Sequence, residues 1–265
     1  MDEIISEIER LTKRGFKEIV LTGICLGAYG RDLKPKTSLI DLLEGLEKIA
    51  GLLRIRLSSI EAADINDELI EKIGSSGKFC RHLHIPLQSG DDLILRKMRR
   101  KYSAKNFLML IRKIKRRIPD IAITTDVLAG FPGEDRNNFM NTARLIKKIA
   151  PLKVHIFPYS PREGTPAYSL VDKALDTKII RQRTEYLKEI ADTCAAEFRK
   201  KFLRRKMQIL VEGKAKNNSP LWQGYTDNYI KVLLKVKAGS KVRNRILALR
   251  IKKIYTDYAL GECSL

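Results

Sequence analysis

The stretch HLHIPLQSG (82–90) decides the fold. Residues 82–87 read as a short, largely apolar strand, and the polar Gln88 and Ser89 follow at once, with Gly90 behind them. The same order recurs on both sides. Upstream, a strand over 19–21 runs into Thr22 and Gly23, and a strand over 53–60 ends in Ser58, Ser59 and Glu61. Downstream, a strand over 121–128 carries Asp126 and leads to Gly130, and one over 153–158 leads to Tyr159 and Ser160. Helical periodicity over 38–50, 65–73, 104–117 and 137–149 separates these runs. Strands alternating with helices imply right-handed βα units and a parallel sheet. Such sheets bind ligands at the carboxyl ends of their strands, so consecutive strands with polar residues at that end predict a ligand site there.

The flanks differ from this pattern. Ile4, Ile5, Ile8 and Leu11 give an opening helix that stops at Gly15, and its apolar face needs a sheet although no strand precedes it. The expectation is an α/β sheet lacking its first strand, with an exposed edge that natural sheets usually avoid. Beyond Pro166, Ile180, Leu187, Ile190, Cys194, Phe198 and Phe202 mark a long helix over 172–203. Strands over 207–211, 229–236 and 246–254, with a turn-rich stretch at 216–220, then predict a small β-barrel or sandwich of three to five strands. The expected division is 1–170 for the β/α domain, 171–203 for a connecting helix and 204–265 for the barrel.

The chain has 265 residues and a net charge of +21, unevenly spread. Residues 91–150 hold 15 Lys/Arg against 6 Asp/Glu, and residues 199–265 hold 17 against 4, whereas 1–90 hold 13 against 14. Two basic zones favour a polyanion gripped at two places, with nucleic acid first among polyanions. Trp222, Tyr225 and Tyr229 lie among the C-terminal charges. They read either as stacking platforms for bases or as core of a small barrel. No apolar run reaches the ~18–20 residues of a membrane span, and the opening MDEIISEIER is acidic, so no membrane partner and a cytoplasmic location are expected.

Single motifs are weaker. The Thr22-Gly23, Gly27, Gly30 spacing is not a dinucleotide fingerprint. His82 and His84 share one strand face, but no third ligand is evident nearby, so they read as core or pocket histidines and no metal site is expected. Phe131-Pro132-Gly133-Glu134 before Asp135 reads as a turn into a capped helix. The rigid loop 158–166 holds Arg162, which either faces an anion or pairs with Glu163. Cys25, Cys80, Cys194 and Cys263 form no C-x-x-C or similar cluster.

In combination these residues resemble one family. LTGICLGAYG (21–30), RLSSIEAADI (56–65), HLHIPLQSGDDLILRKMRRKY (82–102), ITTDVLAGFPGE (123–134) and HIFPYSPREGTPA (155–167) resemble the radical-SAM methylthiotransferases in order and spacing. The tail with GYTDNYIKV (224–232) resembles that family's RNA-binding TRAM domain. Two segments, 157–167 and 226–232, are most similar to the branch acting on N6-threonylcarbamoyladenosine beside the tRNA anticodon.

The resemblance implies a partial TIM-like parallel β/α barrel followed by a small β-barrel. It also implies S-adenosylmethionine cleaved at a 4Fe-4S cluster, a radical acting at C2 of the adenine, and a second 4Fe-4S cluster that delivers methylated sulfur. Carried onto this chain, Thr22 and Gly23 meet the methionine end of the cofactor, and Ser58, Glu61, Gln88 and Asp126 line the rest of the pocket. A basic helix over 96–117 bearing Arg99, Arg100 and Lys101 would grip the tRNA anticodon stem-loop. Arg204, Arg205, Trp222, Tyr225 and Tyr229 of the barrel would join it. No catalytic residue is singled out. The family's C-x-x-x-C-x-x-C loop and its N-terminal cysteine domain are not in this sequence. The chain alone is therefore expected to be inactive, either as the C-terminal portion of a methylthiotransferase or as a non-catalytic tRNA-binding remnant.

Overall fold

The computed structural model describes residues 1–173, 175–215, 220–237 and 239–263. The turn expected at 216–220 therefore lies, Pro220 apart, outside the described residues. In chain order the first part runs α1 (Asp2–Lys13), β1 (Glu18–Leu21), α2 (Leu39–Glu47), β2 (Arg54–Leu57), α3 (Asp67–Ser75) and β3 (His82–His84). It continues through α4 (Asp92–Lys97), α5 (Ala104–Arg117), β4 (Ala122–Ala129), α6 (Arg136–Ile149) and β5 (Lys153–Pro158). All strand pairings here are parallel: β1 with β2, β3 with β4, and β4 with β5. Single parallel bridges, Ile55 to Phe79 and Ser59 to His84, join the two halves.

Side chains alternate across these strands. Ile55, Leu57, Leu83, Ile123 and Val127 are buried in the core between sheet and helices. Glu18, Arg54, Arg56, His82, His84, Thr124 and Asp126 occupy the other, concave face. Helix starts follow the caps. Ser38 and Asp135 form capping boxes, and Asn66, Asp91 and Ser103 accept from the first-turn amides, each worth about 1 kcal/mol.

One expectation is corrected. The basic segment 96–117 is two helices, α4 and α5, because Asp91 and Ser103 each begin a helix and Arg99 between them sits at φ 56°. The Tyr102 hydroxyl donates to the carbonyls of Pro86 and Leu87 at 3.1 and 3.0 Å, which pins this turn against the exit of β3.

The second part is α7 (Thr177–Lys200), then β6 (Lys206–Lys214), β7 (Trp222–Thr226), β8 (Lys231–Leu234), β9 (Ile246–Ile254) and β10 (Ala259–Glu262). The helix starts later than expected because Asp176 caps it after a 3-10 turn at Tyr168–Lys173. The five strands close into a barrel in the order β10-β8-β7-β6-β9. Its core is Ile209, Val211, Val232, Leu234, Leu249 and Ile251, with Phe202 below. β8 begins at Lys231 rather than 229 because Tyr229 adopts φ 64° and turns the chain back onto Thr226.

The small barrel is seated on the amino ends of the parallel strands. Arg54, only 5% exposed, donates to the carbonyls of Gln208 and Tyr225 at 2.8 and 3.1 Å. Arg56 donates to those of Asp227 and Thr226 at 3.0 and 3.2 Å and to the Glu18 carboxylate at 2.7 Å. Arg205 holds Asp120 with two bonds of 3.0 and 2.7 Å, and the Asn228 amide donates to the Asp120 carbonyl at 3.2 Å. A cleft of about 760 Å³ runs along this seam past Arg54, Arg81, Asp120, Arg205 and Asn228.

Candidate functional site

At the carboxyl ends the backbone is laced from strand to strand. The Ser58 amide donates to the Leu21 carbonyl at 2.9 Å, and the Ile60 amide to His84 at 3.0 Å. The Gln88 amide donates to Asp126 at 2.8 Å, and Leu128 returns a bond to the Gln88 carbonyl at 2.9 Å. Those two bonds hold Gln88 at φ 64°, a left-handed conformation that costs a non-glycine residue about 1–2 kcal/mol. Backbone held against its preference is a recurrent mark of functional positions.

Thr22 and Gly23 lie exposed on the turn after β1. A Cβ on Gly23 would come no nearer than 3.7 Å to any atom, so the fold itself does not require glycine there. Gly30 is different: its φ is 83° and a Cβ would fall 2.2 Å from the Thr37 carbonyl oxygen. Ser58 is half-buried, and Glu61 accepts from the Arg100 guanidinium at 3.1 Å. One ion pair thus joins a residue expected in the cofactor pocket to one expected on the RNA.

The concave face holds a polar network. The Thr124 hydroxyl is bonded to both His82 Nε2, at 3.0 Å, and His84 Nδ1, at 2.9 Å. His84 Nε2 lies 3.1 Å from an Asp126 carboxylate oxygen, and the His155 ring meets the His84 ring edge-on at 5.8 Å between centroids. His82 and His84 do share a face, as their spacing predicts. The expectation that no third metal ligand lies near is corrected, because register places His155 beside Asp126 on the neighbouring strand. Ligand atoms of His84, Asp126 and His155 all fall within 4.8 Å of one another. His155 and Thr124 were not among the candidates; only the strand register singles them out. Burial pushes the His82 imidazole down to about pKa 3, with the Arg56 charge adding to the effect.

Several expected RNA contacts are used inside the protein. Tyr229 stacks on His82 at 4.5 Å and on Tyr225 at 5.0 Å, with the Arg56 guanidinium 4.9 Å from its ring centre. The rings of Tyr225 and Tyr229 therefore seal the seam between sheet and barrel instead of standing free among the charges. Arg205 pairs with Asp120 and lies over Phe202, yet its side chain stays exposed. Trp222 is half-buried against the barrel core. Arg99, Lys101 and Arg204 remain exposed.

The turn at 131–134 has a structural function. The Glu134 carboxylate, 2% exposed, accepts from the Gly130 amide and the Arg183 guanidinium, pinning α7 beneath the end of β4. Burial nevertheless holds its pKa above the ordinary carboxylate value. The cysteines stay apart: Cys25 is exposed, Cys80 and Cys194 are buried, and among the described residues no three cysteines gather. Burial pushes the Cys80 thiol up to about pKa 12. These thiols do not fit a 4Fe-4S cluster, which takes three or four thiolates at one place.

A parallel β/α sheet with its polar groups gathered at the carboxyl ends is the architecture of the radical SAM enzymes. Residues 1–146 match the Radical SAM superfamily, and the chain belongs to it. Coproporphyrinogen III oxidase (HemN) from Escherichia coli, a radical SAM enzyme, shares the fold with a TM-score of 0.52 at 12% identity, over 71% of this chain and 46% of that one. Within the superfamily the sequence is similar to proteins that modify tRNA. It is 38% identical over 263 residues to the threonylcarbamoyladenosine tRNA methylthiotransferase MtaB of Bacillus subtilis, covering 98% of this chain and 58% of that protein. It is 38% identical over 227 residues to the tRNA-2-methylthio-N(6)-dimethylallyladenosine synthase of Clostridium tetani, covering 86% and 50%. MtaB of Thermotoga maritima is 38% identical over 225 residues, covering 85% and 51%. The chain spans about half the length of the curated relatives it matches.

Proposed function

We propose that this chain is the S-adenosylmethionine-binding and tRNA-binding portion of a tRNA methylthiotransferase, acting on C2 of N6-threonylcarbamoyladenosine beside the anticodon. One observation carries the reading: among the described residues the barrel's hydrogen bonds to the parallel sheet fall at the amino ends of its strands, away from the polar residues at the carboxyl ends. Thr22, Gly23, Ser58, Gln88 and Asp126 come together at that end, and Gly23 is a glycine that the fold does not need. Backbone there is free to approach a ligand closely. In this reading Glu61 reaches the cofactor only by exchanging its Arg100 partner. The exposed Arg99, Lys101, Arg204 and Arg205 supply phosphate contacts, while Tyr225 and Tyr229 support the RNA-binding surface from beneath. The four cysteines of this chain do not assemble the thiolates that a 4Fe-4S cluster would need.

The test is nucleoside mass spectrometry of tRNA from the source organism with and without this gene. Loss of the 2-methylthio form of N6-threonylcarbamoyladenosine, with the unmethylthiolated nucleoside accumulating, is expected. Loss of the methylthio group from the dimethylallyl nucleoside instead would move the substrate to the other branch. An unchanged nucleoside profile, together with stem-loop binding that weakens with salt at a slope of about −0.7 per phosphate contact, would leave a tRNA-binding module without catalysis.

A further inference from the structure

His84 and His155 on the concave face are used by neither the cofactor reading nor the RNA reading, and they stand beside Asp126, which the cofactor reading places in its pocket. His84 from β3, Asp126 from β4 and His155 from β5 place three ligand atoms within 4.8 Å of one another. We propose that these three side chains form a mononuclear site for a divalent transition metal ion, separate from any iron–sulfur cluster, with open coordination positions toward the mouth of the sheet.

The argument is geometric. Asp126 and His155 are register partners on adjacent parallel strands, so their side chains leave the same face side by side. His84 pairs with Thr124, one side-chain layer below Asp126 on that face. The three donors thus occupy three adjoining strands, and rigid strands position ligands better than loops do. His84 Nε2 and the Asp126 oxygen are already 3.1 Å apart, the separation of two donors on one ion with bonds of about 2.1 Å. Donors on one tetrahedral ion with such bonds lie about 3.4 Å apart, so closing the site asks at most about 1.4 Å of movement from His155.

The orientation of the first ligand is set from behind. His84 Nδ1 is bonded to the Thr124 hydroxyl at 2.9 Å, which leaves Nε2 to face Asp126 and the ion. A metal-bound histidine almost always has its second nitrogen held in this way. Thr124 is itself held by His82, whose ring is clamped against Tyr229. The seating of the small barrel is therefore linked to the aim of the ligand.

All three ligands are half-buried, and the side chains of His84 and Asp126 are 15% and 24% exposed, so an ion can enter and a further ligand can reach it. Two imidazoles and one carboxylate suit Zn²⁺, Fe²⁺, Co²⁺ or Ni²⁺ and disfavour Mg²⁺ and Ca²⁺, which prefer oxygen. Three protein ligands with positions left open is the pattern of sites that bind a water or a substrate group.

The test is titration of the purified chain with Co²⁺ and with Zn²⁺ in competition with a chromophoric chelator. One equivalent should bind, with visible d–d bands from Co²⁺ and no thiolate charge-transfer band in the near ultraviolet. His155→Ala and the near-isosteric Asp126→Asn should each weaken binding at least 100-fold. Thr124→Val should weaken it roughly 10- to 100-fold, as loss of an outer-shell partner does. The double variant Cys25→Ser/Cys263→Ser should bind as the parent does. Circular dichroism of each variant establishes that it is folded, and Asp126→Asn covers the case in which His155→Ala is not. Absence of stoichiometric binding, a thiolate band, or an affinity equal to the parent's in either ligand variant would overturn the proposal. Because the readout is binding to the chain itself, these results are independent of whether tRNA is methylthiolated.

Discussion

Replacing Arg56 by methionine should uncouple the small barrel from the sheet. Methionine keeps most of the apolar stem but removes a guanidinium that is nearly fully buried and makes three hydrogen bonds, at 2.7, 3.0 and 3.2 Å. It also leaves the carbonyls of Thr226 and Asp227 without their donor, and Glu18, 11% exposed, with only the more distant Arg54 at 3.6 Å. Breaking a buried ion pair by removing one partner costs about 3–5 kcal/mol. For a chain of this size each kcal/mol lowers Tm by about 2–4 °C, so a fall of about 10 °C is expected. Arg56→Lys restores the charge but not the fork that reaches two carbonyls and a carboxylate together, and should recover less than half of the loss. Urea denaturation followed by circular dichroism gives the energy. Amide hydrogen exchange shows whether protection is lost first along the seam. A loss below about 1 kcal/mol, or a lysine variant as stable as the parent, would refute the view that this arginine holds the two parts together.

Other outcomes follow from the same geometry. The folded-state pKa of His82, about 3, lies below its unfolded value of 6.5. The unfolded chain therefore binds a proton that the folded chain refuses, and stability should be full above about pH 6.5 and decline by up to about 1.4 kcal/mol per pH unit below it. Denaturation midpoints between pH 6.5 and 5 should show this slope in the parent and a shallower one in His82→Gln. Gly23→Ala should change stability by less than about 0.5 kcal/mol while weakening S-adenosylmethionine binding measured by calorimetry. Gly30→Ala, which forces a side chain into a left-handed backbone and onto a carbonyl, should lose about 2 kcal/mol or more in chemical denaturation. Ala150 closes α6 at φ 43°, so Ala150→Gly should gain about 0.5–1 kcal/mol in the same assay.

Much of the architecture was legible in the linear order. Apolar runs that lead into Thr22, Ser58 and Gln88, with Asp126 inside another, give the strand order and the end where polar residues gather, because a parallel sheet buried under helices must be built from such runs. Helical periodicity put the starts of α2, α3, α5 and α6 within a residue or two of where the caps Ser38, Asn66, Ser103 and Asp135 fix them. The closed barrel was legible as a class but not strand by strand. β7 and β10 are four or five residues long, and their pairing is set by closure, not by local preference. Periodicity gave α5 as 104–117, and only the longer basic helix over 96–117 drawn from the family resemblance ran across the break that the Asp91 and Ser103 caps set.

The site divides in the same way. Sequence by itself determined the superfamily, the positive charge and the identity of the strand-end residues, since these depend on residue type and spacing along one strand. Tertiary structure alone decided which residues meet. Parallel register brought His155 beside Asp126, and docking of the barrel turned Tyr225 and Tyr229 inward onto His82 and paired Arg205 with Asp120. Contacts between residues 30 to 170 positions apart leave no local signature, because they are fixed by how strands and domains stack and not by the preferences of the chain around each residue.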